Sequence, residues 1–257
     1  MTASNVIASA SHPTTNKVIS KYILERINTN SKVLDFGAGR GYMSQEIGSF
    51  FTKSNKNPRH HLFACEIDTE NFEYADVDCL QISTDSKIPF EDNTFDLIYS
   101  IEVLEHTPRP YDFLDEAYKK LKKGGWLIFS VPNILHFQSR LKFLLSGYGE
   151  MFGPLSSDIK NAGRICGHIM PLNYGHFNYG LKKSGFEIIE YAIDRRKKGA
   201  IVPALLFYPF LKFSSFLVSE KTKNNDIELW KENKEVIKKM NSIDLLSSRS
   251  CIMLARK

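Results

Sequence analysis

The feature that most constrains the fold is a glycine-rich segment directly after a short apolar run, "KVLDFGAGRGYMSQEI" at residues 32–47. The apolar run has the length and composition of a buried β-strand, and the residues beyond the glycines begin a helical pattern. Glycines at such a turn keep side chains away from a ligand and leave backbone N–H groups at the helix N-terminus. The segment predicts a ligand site at the end of the strand, although a tight turn without a ligand would also explain the glycines.

Further apolar runs follow at intervals typical of alternating strands and helices. Strands that alternate with helices predict a parallel sheet with both faces covered. The predicted strands lie at residues 32–36, 61–67, 79–82, 95–101, 126–132, 186–191 and 250–256, and the predicted helices at 13–28, 110–125, 173–184 and 226–240. The segments 133–172 and 195–247 break this rhythm. We predict one domain, residues 1–257, in which these two segments are helical cap insertions that contact the substrate.

Composition excludes several classes of protein. The hydrophobic and charged fractions of the 257 residues, 42% and 25%, are those of a soluble globular chain. The net charge of +5 permits an anionic partner without requiring one. The four cysteines form no CxxC pair, which argues against a disulfide framework or a zinc site and favours a reducing compartment. The first residues lack the pattern of a signal peptide, so we expect a cytoplasmic protein.

The residues around the glycines discriminate among nucleotide ligands. Dinucleotide binders need a third glycine where this chain has Tyr42, and a P-loop needs a Lys-Ser/Thr pair that is absent here. Asp35, just before the first glycine, suits a ligand that presents a cation or hydroxyl groups and repels phosphate. An NAD-dependent oxidoreductase is therefore disfavoured.

The pattern Asp35-x-Gly37-x-Gly39-x-Gly41 resembles motif I of the class I S-adenosylmethionine-dependent methyltransferases. Later segments resemble further blocks of that family in the same order: "FACEID", "TDSKIPFEDNTFDLIYSIEVLEH" and "YKKLKKGGWLIFSVPN". The resemblance implies an α/β, Rossmann-like sheet of seven strands, mostly parallel with an antiparallel last strand, with helices on both faces. It also implies S-adenosyl-L-methionine as the cofactor.

The resemblance implies roles for individual residues. Glu66, at the end of the second strand, would bind both ribose hydroxyls, and Asp85 would bind the adenine amino group, although Thr84 has the more usual spacing. The full set implied to surround the cofactor is Asp35, Phe36, Gly37, Gly39, Gly41, Tyr42, Glu66, Ile67, Asp85, Ser100 and Ile101.

The segment "IEVLEH" points to a second kind of site. Its Glu102-x-x-Glu105-His106 pattern resembles the metal-binding segment of ubiquinone-pathway O-methyltransferases and of small-RNA 2'-O-methyltransferases, in which a distal histidine, here His168, completes the site. Carboxylate and imidazole ligands would suit Mg²⁺ or a mixed nitrogen and oxygen site. Two alternatives remain open: His106 acts as a catalytic base without metal, or the segment only shapes the pocket.

The apolar run at 201–218 bears on the substrate. The favoured interpretation is a cap helix buried on the sheet, because prolines and a lysine interrupt the run and it barely reaches the length of a membrane span. The alternative is a lid that faces a lipid-linked or aromatic substrate, or a peripheral membrane contact through 199–218 beside the basic "RRKK" at 195–198.

We therefore predict a methyltransferase that acts in line on a small-molecule or lipid-linked acceptor, at oxygen. The alternatives are an RNA 2'-O-methyltransferase with a divalent metal, and an inactive methyltransferase-like binding partner. Nucleic acid is the less favoured substrate, because a helix end explains the lysines at 119–123.

Overall fold

The computed structural model describes residues 7–156 and 167–257 of the chain. Its seven strands form one sheet in the order β3-β2-β1-β4-β5-β7-β6. The pairs β1–β2, β1–β4, β2–β3 and β4–β5 are parallel. The strands are β1 (Val33–Phe36), β2 (Leu62–Glu66), β3 (Cys79–Gln81), β4 (Phe95–Ile101), β5 (Leu121–Pro132), β6 (Ile188–Ile193) and β7 (Ser250–Arg256).

Strand β7 runs against its neighbours. On the β5 side, the Gly124 amide donates to Lys257 and the Asn133 amide donates to Arg249, so residue numbers fall along β7 as they rise along β5. On the β6 side, the Glu187 amide donates to the carbonyl of Arg256. The predicted sheet, mostly parallel with an antiparallel last strand, is confirmed.

Eight α-helices connect or flank the strands in the described part of the chain. The first, third and fifth begin with Pro13, Pro110 and Tyr174, and two of these use a proline whose missing N–H costs nothing in a first turn. The helices are α1 (Pro13–Leu24), α2 (Tyr42–Lys53), α3 (Pro110–Lys120), α4 (Phe137–Ser146), α5 (Tyr174–Ser184), α6 (Lys198–Asn225), α7 (Ile227–Met240) and α8 (Ile243–Ser247).

The core surrounds the central strands. All four residues of β1 are buried, as expected for a parallel strand with both faces covered. Helices α1 and α2 bury Ile23 and Phe51 in one apolar cluster with these strands. In a separate contact, Phe113 of α3 packs against Phe36, with ring centroids 4.5 Å apart. The carboxyl ends of β1, β2 and β4 are thereby held on a rigid base.

The chain divides into two compact units. The first unit comprises residues up to Val131 together with Gly180–Ala192 and Ile252–Lys257, and it contains most of the sheet. The second unit comprises Pro132–Tyr179 and Ile193–Cys251. The two segments predicted as cap insertions, 133–172 and 195–247, fall within the second unit. Residues 157–166 of the first insertion, and Cys166 with them, lie outside the described residues.

The second unit buries polar side chains as well as apolar ones such as Leu245 and Leu246. His136, the N-cap of α4, is buried; its Nδ1 accepts from the Ser139 amide, and its Nε2 lies 3.1 Å from Glu150. Burial lowers the pKa of His136 to about 4, so the ring is neutral and Nε2 carries the proton that faces Glu150. The Asn133 side-chain amide donates to the carbonyls of Leu245 and Ser248. These buried polar groups are therefore satisfied by hydrogen bonds within the unit.

Helix α6 contradicts the predicted buried cap. Of its 28 residues, all within the described part of the chain, Ala200 and Ala204 are the buried ones. The helix is long and apolar enough to cross a membrane by length and composition, with a mean hydropathy of 1.7 over its most apolar window. Pro203 and Pro209 lie inside it. The prediction was wrong because an apolar composition shows that a helix avoids water. It does not show whether the sheet or another apolar environment covers the helix.

The helix predicted at 110–125 ends earlier than expected. Helix α3 stops at Lys120, and Leu121 already begins β5, where it pairs with Phe95 of β4. Leucine and lysine are good helix formers, so local preference favoured a longer helix. Pairing with β4 overrides that preference.

Candidate active site

The glycine turn joins β1 to α2, and two of its glycines are required by their surroundings. Gly37 has a φ of +74°, and a Cβ there would lie 2.5 Å from a methyl carbon of Val103. Gly41, the N-cap of α2, has a φ of +89°, and a Cβ there would lie 2.8 Å from the ring of Phe72. Both the left-handed conformation and the close approach disfavour other side chains at these positions.

Gly39 differs from these two glycines. Its φ is +52°, but a Cβ at this position would meet no heavy atom within 4 Å. Its amide donates to the Glu66 carboxylate over 2.7 Å, and the second oxygen of Glu66 accepts from the Ile67 amide over 2.7 Å. The end of β2 is thus tied to the turn after β1, beside open space.

Asp35 is a buried carboxylate at the carboxyl end of β1. The Ser44 hydroxyl of α2 donates to it over 2.7 Å. Burial raises the pKa of Asp35 to about 7, in spite of this hydrogen bond and of the nearby Tyr99 hydroxyl. No salt bridge reaches Asp35 from the residues that the structure describes. A cationic ligand group would compensate this charge.

The adenine side of the predicted site lies after β2 and β3. The Ile82 amide donates to the Glu66 carbonyl, which brings the end of β3 beside the end of β2. The side chain of Ile67 is exposed. Asp85 is bound within its own loop, where it accepts from the Ser83 hydroxyl, and these contacts lower its pKa. Its role toward adenine stays a prediction.

The carboxyl end of β4 carries the remaining predicted cofactor residues. Ser100 is fully buried, and its hydroxyl has no hydrogen-bond partner among the described residues. Ile101 ends the strand beside Ser130 of β5. Glu102, the next residue, has a φ of +54°, a strained conformation for a residue with a Cβ. Such strain at the edge of a sheet is typical of functional positions.

The predicted metal residues divide between the two units. Glu105 and His106 lie on a short 3₁₀ turn, Leu104–His106, just after β4. The Glu105 carboxylate is buried without a hydrogen-bond partner in the described structure, and burial, together with the charge of Glu102, raises its pKa well above the ordinary value. His168 belongs to the second unit, where it packs against Phe152. The four-residue metal site stays a prediction.

Several residues of this site were not found by the analysis of the sequence. Ser44 and Tyr99 flank Asp35, and Val103 covers Gly37. None of them belongs to a recognisable motif. A weak signal exists for Ser44, because this polar residue lies on the buried face of α2 between apolar neighbours.

These residues fit S-adenosylmethionine as a ligand. The cofactor has an amino-acid end, a sulfonium and a ribose but no phosphate. The buried, uncompensated Asp35 suits the cationic part, and Glu66 still has lone pairs that can accept from ribose hydroxyls. The open space above Gly39 leaves the backbone accessible. Tyr42 and Phe36 flank the turn at either end.

Comparisons with known proteins identify the family of this chain. A family model described as "Methyltransferase domain" matches residues 15–191. The ubiquinone biosynthesis O-methyltransferase of Paraburkholderia xenovorans (strain LB400) is 28% identical over 114 residues, which are 41% of this chain and 46% of that protein. The sarcosine/dimethylglycine N-methyltransferase of Halorhodospira halochloris is 31% identical over 133 residues, which are 49% of this chain and 46% of that protein. The matches span between 29% and 46% of the length of these and other similar curated relatives.

A solved structure gives the same fold. Phosphoethanolamine N-methyltransferase 2 of Haemonchus contortus, in complex with phosphomonomethylethanolamine and S-adenosylhomocysteine, superposes with a TM-score of 0.56 at 17% identity. The superposition covers 98% of this chain and 55% of that one. Because the matched residues 15–191 are more than half of the chain and include the glycine turn, this protein belongs to the class I S-adenosylmethionine-dependent methyltransferase family.

Proposed function

We propose that this protein transfers the methyl group of S-adenosyl-L-methionine, in line, to a small-molecule or lipid-linked acceptor, with oxygen as the accepting atom. One observation carries the cofactor part of the proposal. The buried Asp35, the open space above Gly39 and the Glu66 carboxylate lie together at the ends of β1 and β2. This combination suits a cationic nucleoside without phosphate.

The chemistry asks little of the protein. When bound, the cofactor supplies a methyl group that its sulfonium already makes electrophilic. The residues of this chain then hold the two reactants in line and exclude water, which can lower a barrier by about 7–11 kcal/mol. Asp35 and Glu66 would fix the cofactor, while the strained turn at Glu102 would set the position of the groups that follow β4.

Oxygen acceptors need a proton acceptor, because a neutral hydroxyl is a weak nucleophile. His106 is exposed on the turn after β4 and is the candidate base. The relatives support no single accepting atom, since one is named an O-methyltransferase and the other an N-methyltransferase. The choice of oxygen thus rests on the "IEVLEH" segment alone.

The cofactor part is tested by calorimetry with S-adenosylmethionine. Glu66→Ala should weaken binding by about 1–3 kcal/mol, because charge-assisted hydrogen bonds to the ribose are lost. Glu73→Ala is the matched control, since Glu73 is an exposed acid that pairs with Arg40 of the same turn. An unchanged dissociation constant in Glu66→Ala, or tighter binding of NAD than of the cofactor, would contradict the proposal.

The acceptor part is tested with cofactor that carries a labelled methyl group. Lipid, small-molecule and RNA fractions are offered to the protein, and mass spectrometry of the labelled product identifies the accepting atom. Label on a lipid or small-molecule oxygen supports the proposal, and label on nitrogen or carbon contradicts it. No label in any fraction, with cofactor bound, would favour the inactive binding partner.

A second candidate is an RNA 2'-O-methyltransferase with a divalent metal. The observation in its favour is the Glu105 carboxylate, buried without a hydrogen-bond partner among the described residues. A hard cation such as Mg²⁺ would be held there by carboxylate oxygens. Excess EDTA should then abolish turnover while cofactor binding persists. Turnover that survives EDTA rejects this candidate, and label in the RNA fraction supports it.

A further inference from the structure

We propose that the second unit binds the surface of an anionic lipid bilayer through the outward faces of α6 and α4. The membrane contact that the sequence suggests for 199–218 is thereby extended to a second helix, α4. It is assigned to the outward faces of both helices. This binding is independent of the proposed reaction, because it involves other residues than those of the glycine turn.

The outward face of α6 carries a continuous apolar stripe. The outer stripe consists of five large side chains separated by four, four, three and four positions, which places them on one side of the helix. Between 51% and 73% of the surface of each is exposed. The outer stripe is Val202, Leu206, Phe210, Phe213 and Leu217.

The inward face of α6 is small and polar instead. Ala200 and Ala204 are buried there. The Asn241 side chain, at the end of α7, donates to the Ser215 hydroxyl over 2.7 Å, and Trp230 of α7 donates to the Ser219 hydroxyl over 2.8 Å. A helix of a soluble protein has the opposite arrangement, with its apolar face inward. The distribution of polar and apolar side chains between the two faces of α6 therefore indicates an apolar environment on its outward side.

Helix α4 repeats this arrangement. Its buried residue is Ser139, and its Arg140 guanidinium donates inward to the carbonyls of Leu135 and Met240. Leu144 and Leu145, in contrast, are 79% and 77% exposed. The two helices contact each other through Phe137 and Phe207, with ring centroids 5.3 Å apart. The exposed apolar side chains of the two helices therefore belong to neighbouring elements, and contiguous exposed apolar surface marks interaction sites.

The charge of the second unit favours an anionic partner. This unit carries 16 of the 34 basic residues of the chain but only nine of its 29 acidic residues, a net charge of +7, whereas the first unit has a net charge of −2. Two copies of a unit with charge +7 would repel each other. An anionic lipid surface attracts such a unit, and each basic residue near it contributes about 1 kcal/mol.

The contacts of α6 favour a helix that lies on the bilayer and does not cross it. The apolar run at 201–218 is about 27 Å long at 1.5 Å per residue, slightly less than a hydrocarbon core of about 30 Å. Its hydrogen bonds to α7 would also carry α7 into the bilayer, together with seven charged side chains. Burying those charges is unfavourable. At the bilayer surface, the outer stripe contacts the acyl chains while the charged side chains of α7 stay in water.

The proposal is tested by sedimentation of the full chain with vesicles. One set contains phosphatidylcholine alone, and the other contains about one third phosphatidylglycerol. Wild-type protein should sediment with the anionic vesicles, and about 1 M NaCl should weaken this several-fold by screening. The double variant Leu206→Glu/Phe210→Glu should bind at least about tenfold more weakly, because two apolar anchors are replaced by anions.

Two further variants make the result specific. Leu144→Glu/Leu145→Glu should also lose at least about tenfold in binding, because α4 belongs to the same surface. Leu24→Glu, an exposed apolar residue of α1 in the first unit, should bind vesicles as wild type does. Unchanged affinity for S-adenosylmethionine and an unchanged melting temperature confirm that a variant is folded.

Three results would overturn the proposal. The first is wild-type protein that stays in solution with both kinds of vesicle. The second is vesicle binding that survives both double variants. The third is a wild-type dimer, seen by sedimentation velocity, that the Leu206→Glu/Phe210→Glu variant converts to a monomer while neither protein binds vesicles, since a second copy of the chain would then cover the surface.

Discussion

In the first unit, the buried positions are filled by large apolar side chains such as Ile23, Phe51 and Phe113, and its loops carry the acids. In the second unit, the polar side chains of His136 and Ser139 are buried as well as Leu245 and Leu246, while the leucines and phenylalanines of α4 and α6 face outward. The first arrangement is the one that water stabilises. The second also depends on hydrogen bonds that satisfy its buried polar groups. The contrast teaches that the outward helices α4 and α6 need an explanation that the first unit does not need, and the proposed bilayer contact supplies one.

The largest expected change in stability belongs to Gly37→Ala, which tests the packing of the first unit. A Cβ at Gly37 would lie 2.5 Å from Val103, with φ in the left-handed region. Overpacking and strain together should cost about 2–5 kcal/mol in the free energy of unfolding. Gly39→Ala, which meets no atom within 4 Å, should cost only about 1–2 kcal/mol.

The two tryptophans show in which unit the stability of a glycine variant changes. Trp126 lies in the first unit and Trp230 in the second. Urea unfolding is followed by fluorescence in a Trp230→Phe background, which leaves Trp126 as the reporter. Equal losses in Gly37→Ala and Gly39→Ala would show that the approach of Val103 does not restrict the turn.

Arg140→Met tests the buried polar groups of the second unit. The Arg140 guanidinium donates to the carbonyls of Leu135 and Met240 over 2.7 and 2.6 Å, and its removal leaves these partly buried carbonyls without this donor. The free energy of unfolding should fall by about 2–4 kcal/mol. Fluorescence of Trp230 in a Trp126→Phe background measures the change.

Lys142→Met is the matched control for Arg140→Met. Lys142 is exposed on the same helix, so its replacement should change stability by less than about 0.5 kcal/mol. If Arg140→Met were equally neutral, the second unit would not depend on its inward hydrogen bonds, and the contrast between the units would fail.

Asp35→Asn tests the charged part of the first unit. With a folded pKa of about 7 and an ordinary value of 3.8, Asp35 keeps a proton in the folded protein that the unfolded chain releases between these pH values. Its ionisation therefore destabilises the folded state as pH rises through that window. At pH 8 the variant should be more stable than wild type by about 1–3 kcal/mol, and near pH 4 the difference should vanish.

The same variant should bind the cofactor more weakly, because an amide cannot compensate a cation. In wild type, affinity for S-adenosylmethionine should rise by up to about tenfold between pH 6 and pH 8, as Asp35 loses its proton. Calorimetry at both pH values measures this. A wild-type affinity that is flat with pH would show that Asp35 does not face the cationic group.

The smallest expected effect belongs to Leu144→Asn. Replacing a buried leucine by asparagine would cost several kcal/mol, but Leu144 is largely exposed. The free energy of unfolding in water should change by less than about 0.5 kcal/mol, measured by urea unfolding. A loss above about 1 kcal/mol would mean that α4 has packed neighbours in water, and its outward face would need another explanation.

The sequence predicted the part of the molecule whose signals are local. The bounds of β4 and β7 agree with the predicted 95–101 and 250–256, because both are continuous apolar runs with clear ends. The glycine turn, Asp35 and Glu66 were predicted because motif residues lie next to strand ends, and their roles toward a cofactor stay predictions. Ser44 and Tyr99 could not be found, since their contact with Asp35 exists only after α2 and β4 pack together.

The orientation of α6 could not be predicted for a different reason. Its sequence is apolar on most sides, so periodicity gives a helix without a preferred inward face. The direction is set by Ser215 and Ser219, whose hydroxyls accept from Asn241 and Trp230. These partners follow a second helix and were not recognisable as partners from the sequence.

Pro203 and Pro209 give α6 a further property. Each proline removes an amide hydrogen, so the carbonyls four residues earlier, at Gly199 and Leu205, lack their helical donors. Such oxygens are hydrated without penalty at the level of lipid headgroups but cost several kcal/mol each in dry hydrocarbon. In the proposed bilayer contact, a helix of this kind can insert its phenylalanines just below the headgroups. Deeper insertion would leave the two carbonyls without hydrogen bonds. The two missing amide hydrogens would therefore limit how deeply the protein inserts into the bilayer.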